Sequence, residues 1–155
     1  MRNSKLGKKI SKSQIDTINI DIDGEKVSFK LHDELQINEN IINKELKEQP
    51  SLYGFIGMAH RRMVRVMKDA ELGKDREYAR AFVKYKGQTV QSTGRPMSDD
   101  LAKQKALSSS RYLKAAKKYN LAEEQAGILN AAVKAFEQRK DVLQAVNANI
   151  RKERT

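Results

Sequence analysis

The sequence predicts a mainly α fold: long helices forming an oligomeric helical bundle or coiled-coil-like assembly, with a small N-terminal β-hairpin. Three observations predict it. Apolar residues recur at spacings of four and three from Leu52 to Ala70. Leu129, Phe136, Leu143 and Ile150 stand seven residues apart. Two alternating apolar–polar runs flank Asp23-Gly24. A chain of 155 residues fits one domain of ordinary size.

The elements follow in order. Residues 1–13 read as a flexible basic arm. Ile18, Ile20 and Ile22 alternate with polar residues, and so do Val27, Phe29 and Leu31, which makes a hairpin about Asp23-Gly24. A lone hairpin is barely stable, so this one must pack on a helix or on another subunit. A short helix is expected from Glu34 to about Gln49, stopped by Pro50. Ser51 then caps a long helix whose seam is Leu52, Ile56, Ala59, Met63, Val66 and Ala70, continuing through Ala79, Phe82 and Val83. Gly87 to Pro96 is rich in turn formers and reads as a loop. Ser98 caps the next helix, with Asp99 and Asp100 in its first turn. No strong breaker interrupts Leu101 to Arg154, so one helix is expected there. Its seam, Leu129, Phe136, Leu143, Val146 and Ile150, is the expected oligomerisation surface. The chain thus divides into the arm, a hairpin with a short helix (14–49), a basic nucleic-acid-binding helix and loop (50–96), and a helical oligomerisation region (97–155).

Charge narrows the function. Thirty-one Lys and Arg against twenty Asp and Glu give +11, with a pI near 9.8 and a mean hydropathy of −0.74. No apolar run of about 18 residues exists, so no membrane span is expected. The absence of cysteine argues against a disulfide scaffold. The basic first residues lack an apolar run behind them, so no signal peptide is expected and the product reads as cytoplasmic. Residues 50–120 hold sixteen basic and six acidic side chains, nearly the whole excess. Charge concentrated in this way is the footprint of a protein that binds a polyanion.

Helical geometry arranges that charge. At about 100° per residue, Arg61, Arg65 and Lys68 share a narrow arc, with Arg62 at its edge and the apolar seam opposite. In the second helix Lys103, Arg111, Lys114, Lys117 and Lys118 share a face; Leu101, Tyr112, Ala116 and Tyr119 point away, with Lys105 an exception among them. Near the Gly87 loop, Tyr78, Arg80, Phe82, Lys84, Tyr85 and Lys86 interleave aromatic and basic residues, and Arg95 lies across the loop. Phe82 and Tyr78 suit a core. Tyr85, between two lysines, suits a stacking platform for the bases of a single strand. No motif for reading duplex sequence occurs, so binding with little sequence preference is expected.

No catalytic constellation appears. His32 and His60 are far apart and no cysteine joins them; Asp99-Asp100 and Glu123-Glu124 are adjacent pairs that do not share a helix face. No phosphate-binding glycine fingerprint occurs, and serines 108–110 have no neighbouring base. A protein without enzymatic activity, metal or cofactor is expected.

The run from Tyr53-Gly54-Phe55 through the basic helix, Lys84-Tyr85-Lys86-Gly87, Arg95-Pro96 and Ser98-Asp99-Asp100, with Gly127-Ile128-Leu129 through Phe136, Arg139, Leu143 and Arg151, resembles the phage UvsY family of recombination mediators. The resemblance covers roughly residues 50–152; the hairpin lies outside it. It implies non-specific binding of single-stranded DNA, a ring-like homo-oligomer assembled through the C-terminal helix, and help in loading a strand-exchange recombinase against a single-strand-binding protein. In the same way it implies strand contacts at Arg76, Arg80, Lys84 and Lys86, with Tyr85 at the loop. Two other readings fit the residues: a helical adaptor or phage structural protein whose basic faces meet an acidic protein, and a small RNA- or DNA-binding architectural protein.

Overall fold

A computed structural model of the chain describes residues 17–22 and 24–153; the expected arm at 1–13 lies outside the described residues. The elements are β1 (Thr17–Ile22), β2 (Glu25–Lys30), α1 (Leu31–Leu35), a 3-10 turn (Glu39–Ile41), α2 (Ile42–Lys86), α3 (Asp99–Leu107) and α4 (Ser110–Glu153). The mainly α class with an N-terminal hairpin is therefore what the chain adopts. It forms two compact units. One takes the described residues up to Ile56 together with those from Ala131 onward; the other is Gly57–Asn130.

In the first unit the strands pair antiparallel, Ile20 opposite Val27 and Ile18 opposite Phe29. Gly24 has φ +88°, a left-handed conformation that side chains resist, and its N–H donates to Asp21 Oδ1 at 3.0 Å. Ile18 and Ile20 are buried, so the hairpin does not stand alone in water.

The helix expected over Glu34–Gln49 is corrected to two short pieces, α1 and the 3-10 turn, followed by α2. Asn38 sets the break: its side-chain oxygen accepts the Asn40 N–H at 3.0 Å, which favours a turn over a continuing helix. Pro50 does not stop the next helix, and Ser51 does not cap it; α2 runs through both. An internal proline costs about 3 kcal/mol and disfavours helical backbone at the preceding residue. That residue is Gln49, which is buried and held at both ends of its amide. Its Nε2 donates to the Phe136 carbonyl at 2.8 Å, and its Oε1 accepts from Arg139 Nη1 at 2.5 Å. Long-range bonding outweighs the local penalty.

Arg139 is the centre of this unit's interior, its side chain only 4 % exposed. Besides Gln49, its Nη2 donates to the Gln36 carbonyl at 3.1 Å and pairs with Glu45. Tyr53 Oη donates to Glu137 Oε1 at 2.8 Å nearby. Glu45 meets Arg139 and Gln49 meets Phe136, so the two helix segments run antiparallel here.

In the second unit α2 buries Ala59, Met63 and Ala70, α3 buries Ala102 and Ala106, and α4 buries Ala122, Ala126 and Leu129, with Met97 inserted from the loop. The seam therefore follows the expected register up to Ala70. Beyond it the expectation fails: Ala79 is exposed and Val83 is 69 % exposed, while Tyr78, Phe82 and Tyr85 turn inward. The aromatic rings set this shift, with Tyr78 stacked on Phe82 at 6.3 Å and edge-on to Tyr112 at 6.1 Å.

The single helix expected from Leu101 onward is corrected to two, α3 and α4, parted at Ser108–Ser109. Serine side chains compete with the helix for backbone groups: Ser108 Oγ donates to the Lys105 carbonyl at 3.1 Å, and Ser109 Oγ accepts the Tyr112 N–H at 3.4 Å as the cap of α4. Ser98 caps α3 as expected, its Oγ accepting the Leu101 N–H at 3.3 Å.

The seam assigned to oligomerisation is also corrected. Leu129, Phe136 and Leu143 are buried inside the chain and Val146 and Ile150 are half-buried, so they form its own core rather than a free surface.

Two substitutions test these packing claims by chemical denaturation. Pro50→Ala should raise stability by about 1–3 kcal/mol, because Pro50 is exposed and only its helical penalty is removed. Arg139→Ala should cost about 3 kcal/mol by leaving Glu45 unpaired in the interior; a loss under about 1 kcal/mol would contradict the network.

Candidate nucleic-acid interface

Every basic residue expected to contact a strand falls in the Gly57–Asn130 unit, which holds sixteen basic and eight acidic side chains. Arg61, Arg65 and Lys68 are exposed opposite the buried Met63 and Ala70, as the helical geometry predicts. Arg76, Arg80 and Lys84 follow at four-residue steps, each turned about 40° further around α2. Lys84 therefore lies about 28 Å along the axis from Arg65 and well round the helix from it.

The structure brings Arg80, Lys84, Tyr85 and Arg111 to one hollow of about 240 Å³, completed by Glu77, Ala81, Ser109 and Ser110. The Ser109 cap produces this meeting, because it starts α4 beside the end of α2 and places Arg111 in the opening turn. The start of a long helix carries partial positive charge, which adds to the field of the three cations. Tyr85 is half-buried, and Lys84 Nζ and Lys105 Nζ each lie 5.9 Å from its ring centroid.

Hollows adjoin on both sides. Glu77, Arg111, Lys114, Ala115 and Lys118 line one of about 360 Å³, which shares Glu77 and Arg111 with the first. On the other side Lys105 and Leu101 face the loop from Gly87 to Ser92 across a groove of about 870 Å³. A track thus runs from Lys118 past Lys114, Arg111 and Tyr85 to Lys105 and the loop. Lys117 is exposed on α4, and Arg95 is exposed in the loop, its carbonyl accepting the Val90 N–H at 2.8 Å.

Several expected contacts are already engaged. Arg80 Nη1 lies 3.0 Å from Glu77 Oε1. Lys86 Nζ lies 2.5 Å from Asp99 Oδ1 and donates to the Met97 carbonyl at 3.1 Å. Lys103 lies 3.9 Å from Asp100. Lys103 also belongs to α3, so the shared face with Arg111, Lys114, Lys117 and Lys118 is corrected: the Ser108–Ser109 break separates them. Lys105, the exception on the apolar side of the expected helix, lies near Tyr85 once the helix is broken there. The serine run was the signal for it, read as a cap rather than as a nucleophile.

Two groups have displaced acidities. The Lys86 hydrogen bond and charge, with a smaller pull from Lys103, hold the Asp99 carboxyl below the ordinary aspartate range. The hydrogen bond from Tyr119 to Glu123, at 2.9 Å, raises the Tyr119 phenol, helped by burial and by the charges of Glu123, Glu71 and Asp75. Lys74 lies over that ring at 4.1 Å.

Among the described residues, no group of three or more His, Cys, Asp or Glu side chains is placed to hold a metal ion, and no helix is long and apolar enough to cross a membrane. Fold and site together define a long-helix protein with a basic, aromatic-centred track. Compared with known protein families, characterised proteins and solved structures, the chain matches none.

The Asp99 contact makes a pH prediction. A carboxyl held below its ordinary value contributes stability above the unfolded value, 3.8, and loses it as pH falls through the folded one. An NMR titration should therefore find the Asp99 midpoint below 3.8; a midpoint at or above that value would show that Lys86 does not hold the Asp99 carboxylate.

Proposed function

We propose that the protein binds single-stranded nucleic acid, DNA foremost, with little sequence preference, and acts as a mediator that helps load a strand-exchange recombinase. The observation that carries the binding is the hollow where Arg80, Lys84 and Arg111 surround the half-buried ring of Tyr85. Cations in a row attract phosphates, while an aromatic ring among them offers a face to any base that is not paired. A duplex keeps its bases stacked inside and gains only the charge. The recombinase, the displaced single-strand-binding protein and the phage setting rest on the resemblance to the UvsY family alone.

Self-association belongs to the same proposal, but not through the buried seam. Leu121 and Ile128 remain 55 % and 42 % exposed on α4, seven residues apart in the Gly57–Asn130 unit. They replace Leu129, Phe136 and Leu143 as the side chains for contact with a second copy. Leu121→Asp with Ile128→Asp should lower the mass seen by sedimentation while leaving the helical content unchanged; an unaltered mass would exclude this surface.

Binding is tested by fluorescence anisotropy with an oligo(dT) strand and a duplex of equal length at several salt concentrations. The strand should bind tighter than the duplex, with affinity falling steeply as salt rises. Tyr85→Ala should cost about 1–3 kcal/mol on the strand, with Tyr85→Phe close to wild type. Equal affinity for strand and duplex would favour an architectural role. No affinity at low salt, with a tight complex to an acidic protein, would favour an adaptor.

A further inference from the structure

We propose that Asp99 is an internal competitor for the strand: it holds Lys86 in the free protein, and a phosphate of the bound strand takes its place. Lys86 is then a strand contact kept in reserve at the end of α2. The inference rests on the single-strand reading above and adds the regulation of that same site.

The geometry separates this pair from a structural tether. The loop is closed without it: Val90 N–H donates to the Arg95 carbonyl, Met97 N–H donates to the Gln88 carbonyl, and Thr89 bridges Pro96. Met97 is buried and Ser98 caps α3. The Lys86–Asp99 contact sits on the outside of that closed loop, with the two side chains 46 % and 64 % exposed. A carboxylate oxygen and a phosphate oxygen are acceptors of the same kind for an ammonium group. An exposed pair is worth little in water, so its exchange costs little. When Asp99 is displaced, the bond to the Met97 carbonyl still holds the Lys86 ammonium in place. The adjacent Asp100 supplies a control, because its carboxylate lies near Lys103 rather than Lys86.

Competition leaves a signature that a tether does not. Salt weakens the Lys86–Asp99 pair in the free protein, so removing Asp99 should help most at low salt and least at high salt. The experiment measures oligo(dT) affinity by anisotropy for the full chain and for Asp99→Asn, Asp100→Asn, Lys86→Met and the Asp99→Asn/Lys86→Met double variant. Asp99→Asn should bind about two- to fivefold tighter at low salt, the gain shrinking as salt rises. Asp100→Asn should gain less. Lys86→Met should reduce the salt slope by about 0.7, and in its background the gain from Asp99→Asn should vanish. If Asp99→Asn binds no tighter than wild type or than Asp100→Asn, or keeps its gain without Lys86, the proposal is overturned while the single-strand reading stands. If the wild-type chain binds no strand at all, both fall together.

Discussion

Burial of a narrow apolar strip on each long helix governs both the packing and the surface of this protein. On α2 the strip is Ile56, Ala59, Met63 and Ala70; on α4 it is Ala122, Leu129, Ala132, Phe136 and Leu143. A strip this narrow leaves most of each helix in water, and polar and charged side chains fill that remainder. The buried positions are mainly alanines and single large residues, so the interior is thin and each large side chain in it carries much of the apolar burial. In the first unit the seam also contains Arg139, whose bonds to Gln49, Glu45 and the Gln36 carbonyl fix which residues of the two segments meet. Apolar stripes alone slide past one another more readily than a bonded guanidinium does.

The functional surface follows from the same constraint. With the seams turned inward, the cations of the central unit are left outside, and the end of α2 meets the start of α4. The Tyr78–Phe82–Tyr112 rings pack across that meeting. Arg80, Lys84, Lys105 and Arg111 then gather about one ring although they come from three helices. On the proposed reading, such a site would distinguish ligands by charge and by flat apolar faces.

Where local patterns decide the structure, the sequence reveals it. Alternation about Asp23-Gly24 sets the hairpin, the three- and four-residue spacing sets the seam to Ala70, and Ser98 announces its helix. Where distant groups decide, local patterns mislead. Pro50 reads as a stop because nothing near it shows that Gln49 will be held by Phe136 and Arg139. The seven-residue repeat from Leu129 reads as an assembly seam because periodicity gives a face and not the partner that covers it. The break at Ser108–Ser109 was visible as three serines, but only its capping bonds distinguish it from an exposed stretch of helix. At the candidate site, Arg80, Lys84 and Tyr85 are legible as interleaved neighbours. Their meeting with Arg111 and Lys105 is not, since it depends on that break.

The central proposal is one of place: a single strand would lie on the Gly57–Asn130 unit, around Tyr85, and not on the unit that contains Arg139. Backbone and side-chain NMR shifts followed during addition of oligo(dT) test it most directly. The account predicts the largest changes at Arg80, Lys84, Tyr85, Lys105 and Arg111, with Gln49, Phe136 and Arg139 undisturbed. Changes centred on the Arg139 unit, or spread evenly over all exposed lysines with none at Tyr85, would contradict it.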